Sequence, residues 1–182
     1  MRTDQCLTLA KERHLAGDLA SARTLYETVL AGEPANADVM FRLGVLGLQC
    51  AAYNEALTWL ERAIALAPLE PRYQFARGQV FSAAGRFEDA IDTYRALLAF
   101  DATSADLWFA LASALQSSGD VRGAAKAYES AAALDPAQVD ALNNLGNCHR
   151  QLGAPERARE AYRRALAVQP DHASAPTNLG TL

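Results

Sequence analysis

Five alanines, Ala22, Ala56, Ala90, Ala124 and Ala158, stand 34 residues apart along this chain. They belong to a longer pattern. The stretch LNNLGNCHRQLGAPERAREAYRRALAVQP, Leu142 to Pro170, contains Leu145, Gly146, Gly153, Tyr162 and Pro170. One period earlier stand Leu111, Ala112, Gly119, Tyr128 and Pro136, and before them Arg77, Gly78, Gly85, Tyr94 and Ala102. The two earliest sets are Leu43, Gly44, Ala51, Leu60 and Pro68, then Leu9, Ala10, Gly17, Tyr26 and Pro34. Small residues stay small, and most large apolar residues stay large. A fixed period of this length is the signature of stacked repeat units. A chain built this way has no single central core, because each unit packs mainly on its neighbours.

Each period reads as two helices. In the last complete one, a helix A runs over about 140–152 and a helix B over about 155–168. Gly153 ends the first, since glycine readily takes the left-handed backbone of a C-terminal cap. Pro155 opens the second, where a first-turn proline loses no helical hydrogen bond. Gly17-Asp18, Gly85-Arg86 and Gly119-Asp120 mark the same turn, with Asp120 as an N-cap. Gly146 and Ala158 are expected to face each other where helices A and B cross. Tyr162 and Ala165 are expected on the helix B face next to the following repeat. Leu9, Leu43, Leu111 and Leu145 fill the seam.

Departures from the pattern carry expectations of their own. Arg77 replaces leucine, so its stem packs while its head reaches solvent, or it pairs with Glu88 or Asp92. Gly47 replaces a larger side chain, which leaves room for a gap or bend filled by Trp59. Gly123 weakens the start of its helix. Ala102 replaces the terminal proline and leaves that junction less sharply fixed.

The period and these recurring residues resemble the tetratricopeptide repeat family. The resemblance covers five repeats, 3–36, 37–70, 71–104, 105–138 and 139–172, with 173–182 as the start of a truncated sixth. It implies an all-α, right-handed superhelical α-solenoid whose A helices line a concave groove. NLGTL begins a sixth helix A with no helix B after it, so the chain is expected to be the N-terminal piece of a longer protein. Its uncapped end then allows self-association.

Composition removes several functions. The formal net charge is −4 over 182 residues with both signs interspersed, so no basic stripe is available for nucleic acid. The densest basic run, Arg157, Arg159, Arg163 and Arg164, contains Glu156 and Glu160 and reads as a solvated helix face. Cys6, Cys50 and Cys148 lack disulfide or zinc spacing and are expected as buried thiols. No apolar leader or membrane-length stretch occurs, which points to the cytoplasm and away from membranes. His14, His149 and His172 are scattered, and Cys148 and His149, as helix neighbours, point about a hundred degrees apart. No catalytic, phosphate-binding or metal motif is present. The expectation is a chain without enzymatic activity, metal or cofactor.

What remains is the inner face of the A helices. The 34-residue step places Phe41, Phe75 and Phe109 at one repeat position, expected in a row on neighbouring A helices. They serve either as partner anchors or as packing for their own helix pairs. Gln79, Ser113 and Gln116 lie beside them, and Asn143, Asn144 and Asn147 make the groove amide-rich towards the fifth repeat. The family's carboxylate clamp does not fit, because the first lysine and asparagine pair is missing. The asparagine ladder of repeat arrays attached to O-linked N-acetylglucosamine transferases is matched only by Asn144 and Asn178. Thr8, Arg42, Ala76 and Ala110 break it, and plain repeat consensus also accounts for the two matches.

The resemblance therefore implies a protein–protein interaction scaffold holding a peptide or protein in the groove. Alternatives are the substrate-selecting arm of a larger enzyme, such as a bacterial glycosyltransferase, or a secretion or assembly chaperone.

Overall fold

One residue in the left-handed backbone region makes each short turn: Gly17 (φ 79°), Ala51 (55°), Gly85 (75°), Gly119 (92°) and Gly153 (69°). Four of these five are glycines, which reach this region without steric cost. At the first, second, third and fifth turns the next residue's N–H reaches back five residues to a helix carbonyl. Asp18 bonds Arg13 at 2.9 Å, Ala52 bonds Gly47 at 2.8 Å, Arg86 bonds Phe81 at 2.9 Å and Ala154 bonds His149 at 2.9 Å. This closes the helix and reverses the chain.

The structure is a computed structural model that describes residues 3–170. Ten α-helices and no strand occur among the described residues. Residues 171–182 lie outside them, and with them the expectations placed on Asn178, His172 and the truncated sixth repeat. The chain divides into two compact units, Met1–Arg86 and Phe87–Leu182.

The first unit contains α1 (Thr3–Leu15), α2 (Leu19–Gly32), α3 (Ala37–Gln49), α4 (Tyr53–Leu66) and α5 (Pro71–Ala83). Helix α1 pairs with α2 and α3 with α4, while α2 packs on α3 and α4 on α5. Cys6, Ala10, Tyr26, Val39, Met40, Leu43 and Tyr73 form one buried cluster. Asp18 and Asn36 cap the starts of α2 and α3 by accepting from the N–H of Ser21 at 3.2 Å and of Val39 at 3.1 Å.

The second unit contains α6 (Phe87–Phe100), α7 (Ala105–Ser118), α8 (Val121–Leu134), α9 (Val139–Gln151) and α10 (Pro155–Val168). Helix α7 pairs with α8 and α9 with α10, while α6 packs on α7 and α8 on α9. Ser104 and Asp120 cap α7 and α8. The odd helices start at residues 3, 37, 71, 105 and 139 and the even ones at 19, 53, 87, 121 and 155, so both series keep the 34-residue step. The five periodic alanines are each 0% exposed.

Several local expectations need correction. At Gly146 the nearest neighbour across the helix pair is the ring of Tyr162. A side-chain carbon at Gly146 would lie 2.3 Å from Cε1 of Tyr162, so the ring fills the space over that glycine. Tyr162 thus packs inside its own helix pair, with none of its surface exposed. Gly47 leaves no gap for Trp59, because a Cβ there would come within 3.0 Å of the Cβ of Ala56. The Trp59 indole instead donates to Glu55 at 3.3 Å and lies 4.6 Å from the Arg62 guanidinium. Glu55 also pairs with Arg23 of α2.

Gly123 stands at the start of α8, as expected, under its N-cap. Its N–H donates to Asp120 Oδ1 at 2.8 Å, which fixes the residue in the first turn. The junction at Ala102 is held by another device. The Trp108 indole donates to the Ala102 carbonyl at 2.9 Å, and Asp101 accepts from the Thr103 N–H at 2.9 Å. Cys50 is exposed while Cys6 and Cys148 are buried. Arg77 is half-buried, with its guanidinium 5.8 Å from the Phe81 ring. Its Nε is buried with no hydrogen-bond partner among the described residues.

Candidate functional site

The odd-numbered helices are the A helices of the sequence reading, and the candidate residues sit on them. In the first unit, Asn36 starts α3 and sets Asp38 in its first turn, where a carboxylate suits the positive end of the helix dipole. One turn on, Arg42 donates through Nε to Asp38 Oδ2 at 2.8 Å. Phe41 faces α5 and stacks on Tyr73, with ring centroids 5.1 Å apart and planes at 28°. Pro71 opens α5 directly before Arg72. The Arg72 guanidinium lies 5.6 Å from the Phe41 ring and 5.4 Å from the Tyr73 ring. Its Nε meets Glu70 Oε1 at 3.1 Å and its Nη1 meets Asp38 Oδ1 at 3.6 Å.

A second polar chain runs through the same unit. The His14 imidazole meets the Tyr26 hydroxyl through Nδ1 at 3.3 Å and Gln49 Oε1 through Nε2 at 2.9 Å. With Oε1 as acceptor, Nε2 carries the proton and Nδ1 accepts from the phenol. Arg42 also approaches the Tyr26 hydroxyl. Burial pushes Tyr26 up from the ordinary phenol value, and Arg42 opposes that shift.

In the second unit the amides have a specific use. The Tyr128 hydroxyl donates to Gln116 Oε1 at 3.0 Å and accepts from Asn144 Nδ2 at 3.4 Å. Burial pushes this phenol up to about 12. The Tyr162 hydroxyl donates to Asn147 Oδ1 at 2.8 Å. Burial raises Tyr162 as well, against the pull of Arg150. Both phenols therefore stay neutral donors. Phe109 meets Tyr128 edge-on, with centroids 5.5 Å apart and planes at 63°.

The expected site residues thus fall into distinct groups. Phe41, Phe75 and Phe109 are half-buried, and Gln79 and Ser113 are exposed. Gln116, Asn144 and Asn147 serve buried tyrosines, and Asn143 is itself buried at 7% exposure. Sequence reasoning missed Tyr73, because its repeat position is held by core residues Val39 and Leu107. It also missed the hydroxyl partners. Their signal is a spacing: Gln116 and His14 each precede a tyrosine by twelve residues. Among the described residues, no three His, Cys, Asp or Glu side chains gather as a metal-ion set. Nor is any helix among them long and apolar enough to cross a membrane.

Tetratricopeptide repeat models match residues 14–80, 71–114 and 109–180. No curated protein sequence matches the chain significantly. Solved structures do. A crystal structure of MamA superposes with a TM-score of 0.81 at 22% identity, covering 94% of each chain. MamA 41-end from Desulfovibrio magneticus RS-1 gives 0.86 at 15% identity, covering 94% of this chain and 97% of that one. YrrB gives 0.76 at 20% identity, covering 94% and 89%. These likenesses show the fold, an all-α solenoid of stacked helix pairs. With helix starts held to a 34-residue step and three overlapping matches from residue 14 to residue 180, the chain belongs to the tetratricopeptide repeat family.

Proposed function

We propose that this chain is a non-catalytic interaction module, five repeats long, that holds a peptide or protein segment against the inner face of its A helices. One observation carries the reading. The aromatic ring at one repeat position is only half-buried in α3, α5 and α7, as Phe41, Phe75 and Phe109. The tyrosines that recur at one position of the even helices, Tyr26, Tyr94, Tyr128 and Tyr162, are all at most 2% exposed. Aromatic rings kept partly in water at a recurring position are anchors for a partner, and such anchors commonly dominate binding energy. Exposed Gln79 and Ser113 meet a peptide backbone beside them, and half-buried Gln116, Asn144 and Asn147 add polarity to the face. YrrB, of the same fold, is described as a repeat protein with an unusual peptide-binding site, which agrees with this reading.

The test uses a peptide selected on the chain from a phage-displayed random library. It is titrated into Phe41→Ala, Phe75→Ala and Phe109→Ala, with a thermal melt of each. Phe75→Ala is expected to weaken binding by roughly 1–4 kcal/mol with helix content intact. A large loss of stability with unchanged affinity in all three variants would leave the rings as packing residues and remove the proposal.

A further inference from the structure

The first unit carries a cation inside its own candidate face. The Arg72 guanidinium rests over two rings, Phe41 and Tyr73, and between two carboxylates, Asp38 and Glu70. Rings and carboxylates together form a seat for a guanidinium, since the aromatic faces attract cations and paired carboxylate oxygens match its planar fork. The resident is loosely held. Its side chain is 51% exposed, and exposed ion pairs of this kind contribute little. With Arg72 turned into solvent, Asp38 and Glu70 would face one remaining arginine, Arg42, which already holds the other Asp38 oxygen at 2.8 Å. The seat would then carry a net negative charge, in a chain whose formal charge is −4.

We infer that Arg72 is a resident plug, and that this seat takes an arginine side chain of a basic peptide partner in its place. The inference rests on the interaction-module reading and deepens it by naming the partner's chemistry. An incoming guanidinium stacks on Phe41 and Tyr73 and bonds Asp38 and Glu70, while Arg72 moves out to water. The exchange conserves charge in the seat, so its net gain comes from the contacts that the rest of the peptide adds along the face.

The probe is a fluorescently labelled pentapeptide with two arginines, compared with its citrulline and glutamate counterparts by anisotropy at low ionic strength. Arg72→Ala is expected to raise affinity for the arginine peptide roughly two- to fivefold, the range an exposed ion pair allows. In that background Asp38→Asn and Glu70→Gln should each remove the gain, and the citrulline peptide should show none. Circular dichroism checks that every variant keeps its helices. Unchanged or weaker arginine binding in Arg72→Ala overturns the inference. So does a glutamate peptide that binds the native chain through Arg72, which would make Arg72 an anion contact. If these arms fail while a library-selected peptide still depends on Phe75, only the arginine seat falls. If that dependence fails too, the wider reading falls with it.

Discussion

The Tyr162 hydroxyl on α10 donates to Asn147 Oδ1 on α9 at 2.8 Å, while its ring lies over the bare α-carbon of Gly146. Ring and hydroxyl are held by adjacent positions of one helix, so a change at Gly146 should disturb both. Gly146→Leu would push a branched side chain into a ring that is 0% exposed, at a cost of roughly 1–3 kcal/mol. Gly146→Ala should behave differently. Ala10 and Ala112 hold the same repeat position relative to Tyr26 and Tyr128, and all four residues are at most 1% exposed. A ring can therefore move aside for a single methyl group. Alanine also favours the helix over glycine by about 1 kcal/mol. Chemical denaturation should find Gly146→Ala within about 1 kcal/mol of the native chain, on the scale of that preference. A loss as large as that of Gly146→Leu would show that the ring cannot shift.

Ala51 is the one non-glycine residue with positive φ among the described residues. It completes a helix end in which Ala52 N–H bonds the Gly47 carbonyl at 2.8 Å. The left-handed conformation costs an L-residue about 1–2 kcal/mol. Glycine removes that cost but returns about 0.4–1 kcal/mol through the greater freedom of the unfolded chain. Ala51→Gly should therefore gain roughly 0.5–1 kcal/mol, seen as a melting point a few degrees higher. A lower melting point would mean that the Ala51 methyl group makes contacts worth more than the strain.

Much of this architecture is legible in one dimension. Helix starts follow the period because turn glycines and the prolines after the even helices, Pro34, Pro68, Pro136 and Pro170, recur with it, and the five periodic alanines are all fully buried. The partners of the candidate residues were less visible. Phe41 and Tyr73 are 32 residues apart and meet only because α3 and α5 come together, a property of stacking that no local pattern encodes. The use of Gln116 by Tyr128 was readable in principle, by comparing columns of the repeat. It was passed over because a polar residue on an inner face suggests a ligand before it suggests a neighbour's hydroxyl. Cys50 was misjudged because helix periodicity was carried one residue too far. It is the C-cap of α3, and Ala16, Ser118 and Leu152 at the same repeat position are exposed as well.

That exposure can be counted chemically. Cys50 is open to solvent, whereas Cys6 and Cys148 are 3% and 0% exposed. Burial pushes the Cys148 thiol up to about 11, so hardly any reactive thiolate forms at neutral pH. Ellman's reagent at pH 8 should titrate one thiol quickly in the folded protein and three after denaturation. Cys50→Ser should abolish the fast phase. A fast phase that survives this substitution would show that one of the buried cysteines becomes accessible in the native state.

Leu60 gives the sharpest test of the hydroxyl pattern. It replaces tyrosine at the repeat position of Tyr26, Tyr128 and Tyr162, and it is equally buried at 0%. Its side chain lies over Gly44, with Cγ 2.5 Å from where a Cβ would stand, as the Tyr162 ring lies over Gly146. A ring of the same shape should therefore fit at residue 60. What is missing is the polar surround. Twelve residues before Tyr26 and Tyr128 stand His14 and Gln116, and sixteen after Tyr128 stands Asn144. The corresponding residues for Leu60 are Leu48 and Ala76, which have no side-chain acceptor or donor to offer. Leu60→Tyr should thus bury an unpaired hydroxyl and cost about 1–3 kcal/mol. Adding Leu48→Gln rebuilds the Gln116 arrangement and should recover about 1 kcal/mol or more as a coupling between the two sites. Denaturant titrations of the two single variants and the double variant give that coupling directly. If Leu60→Tyr costs nothing, or if the two changes simply add, then the polar residues beside the other tyrosines are not there to satisfy their hydroxyls. Gln116 and Asn144 would then count first as groups of the partner-binding face.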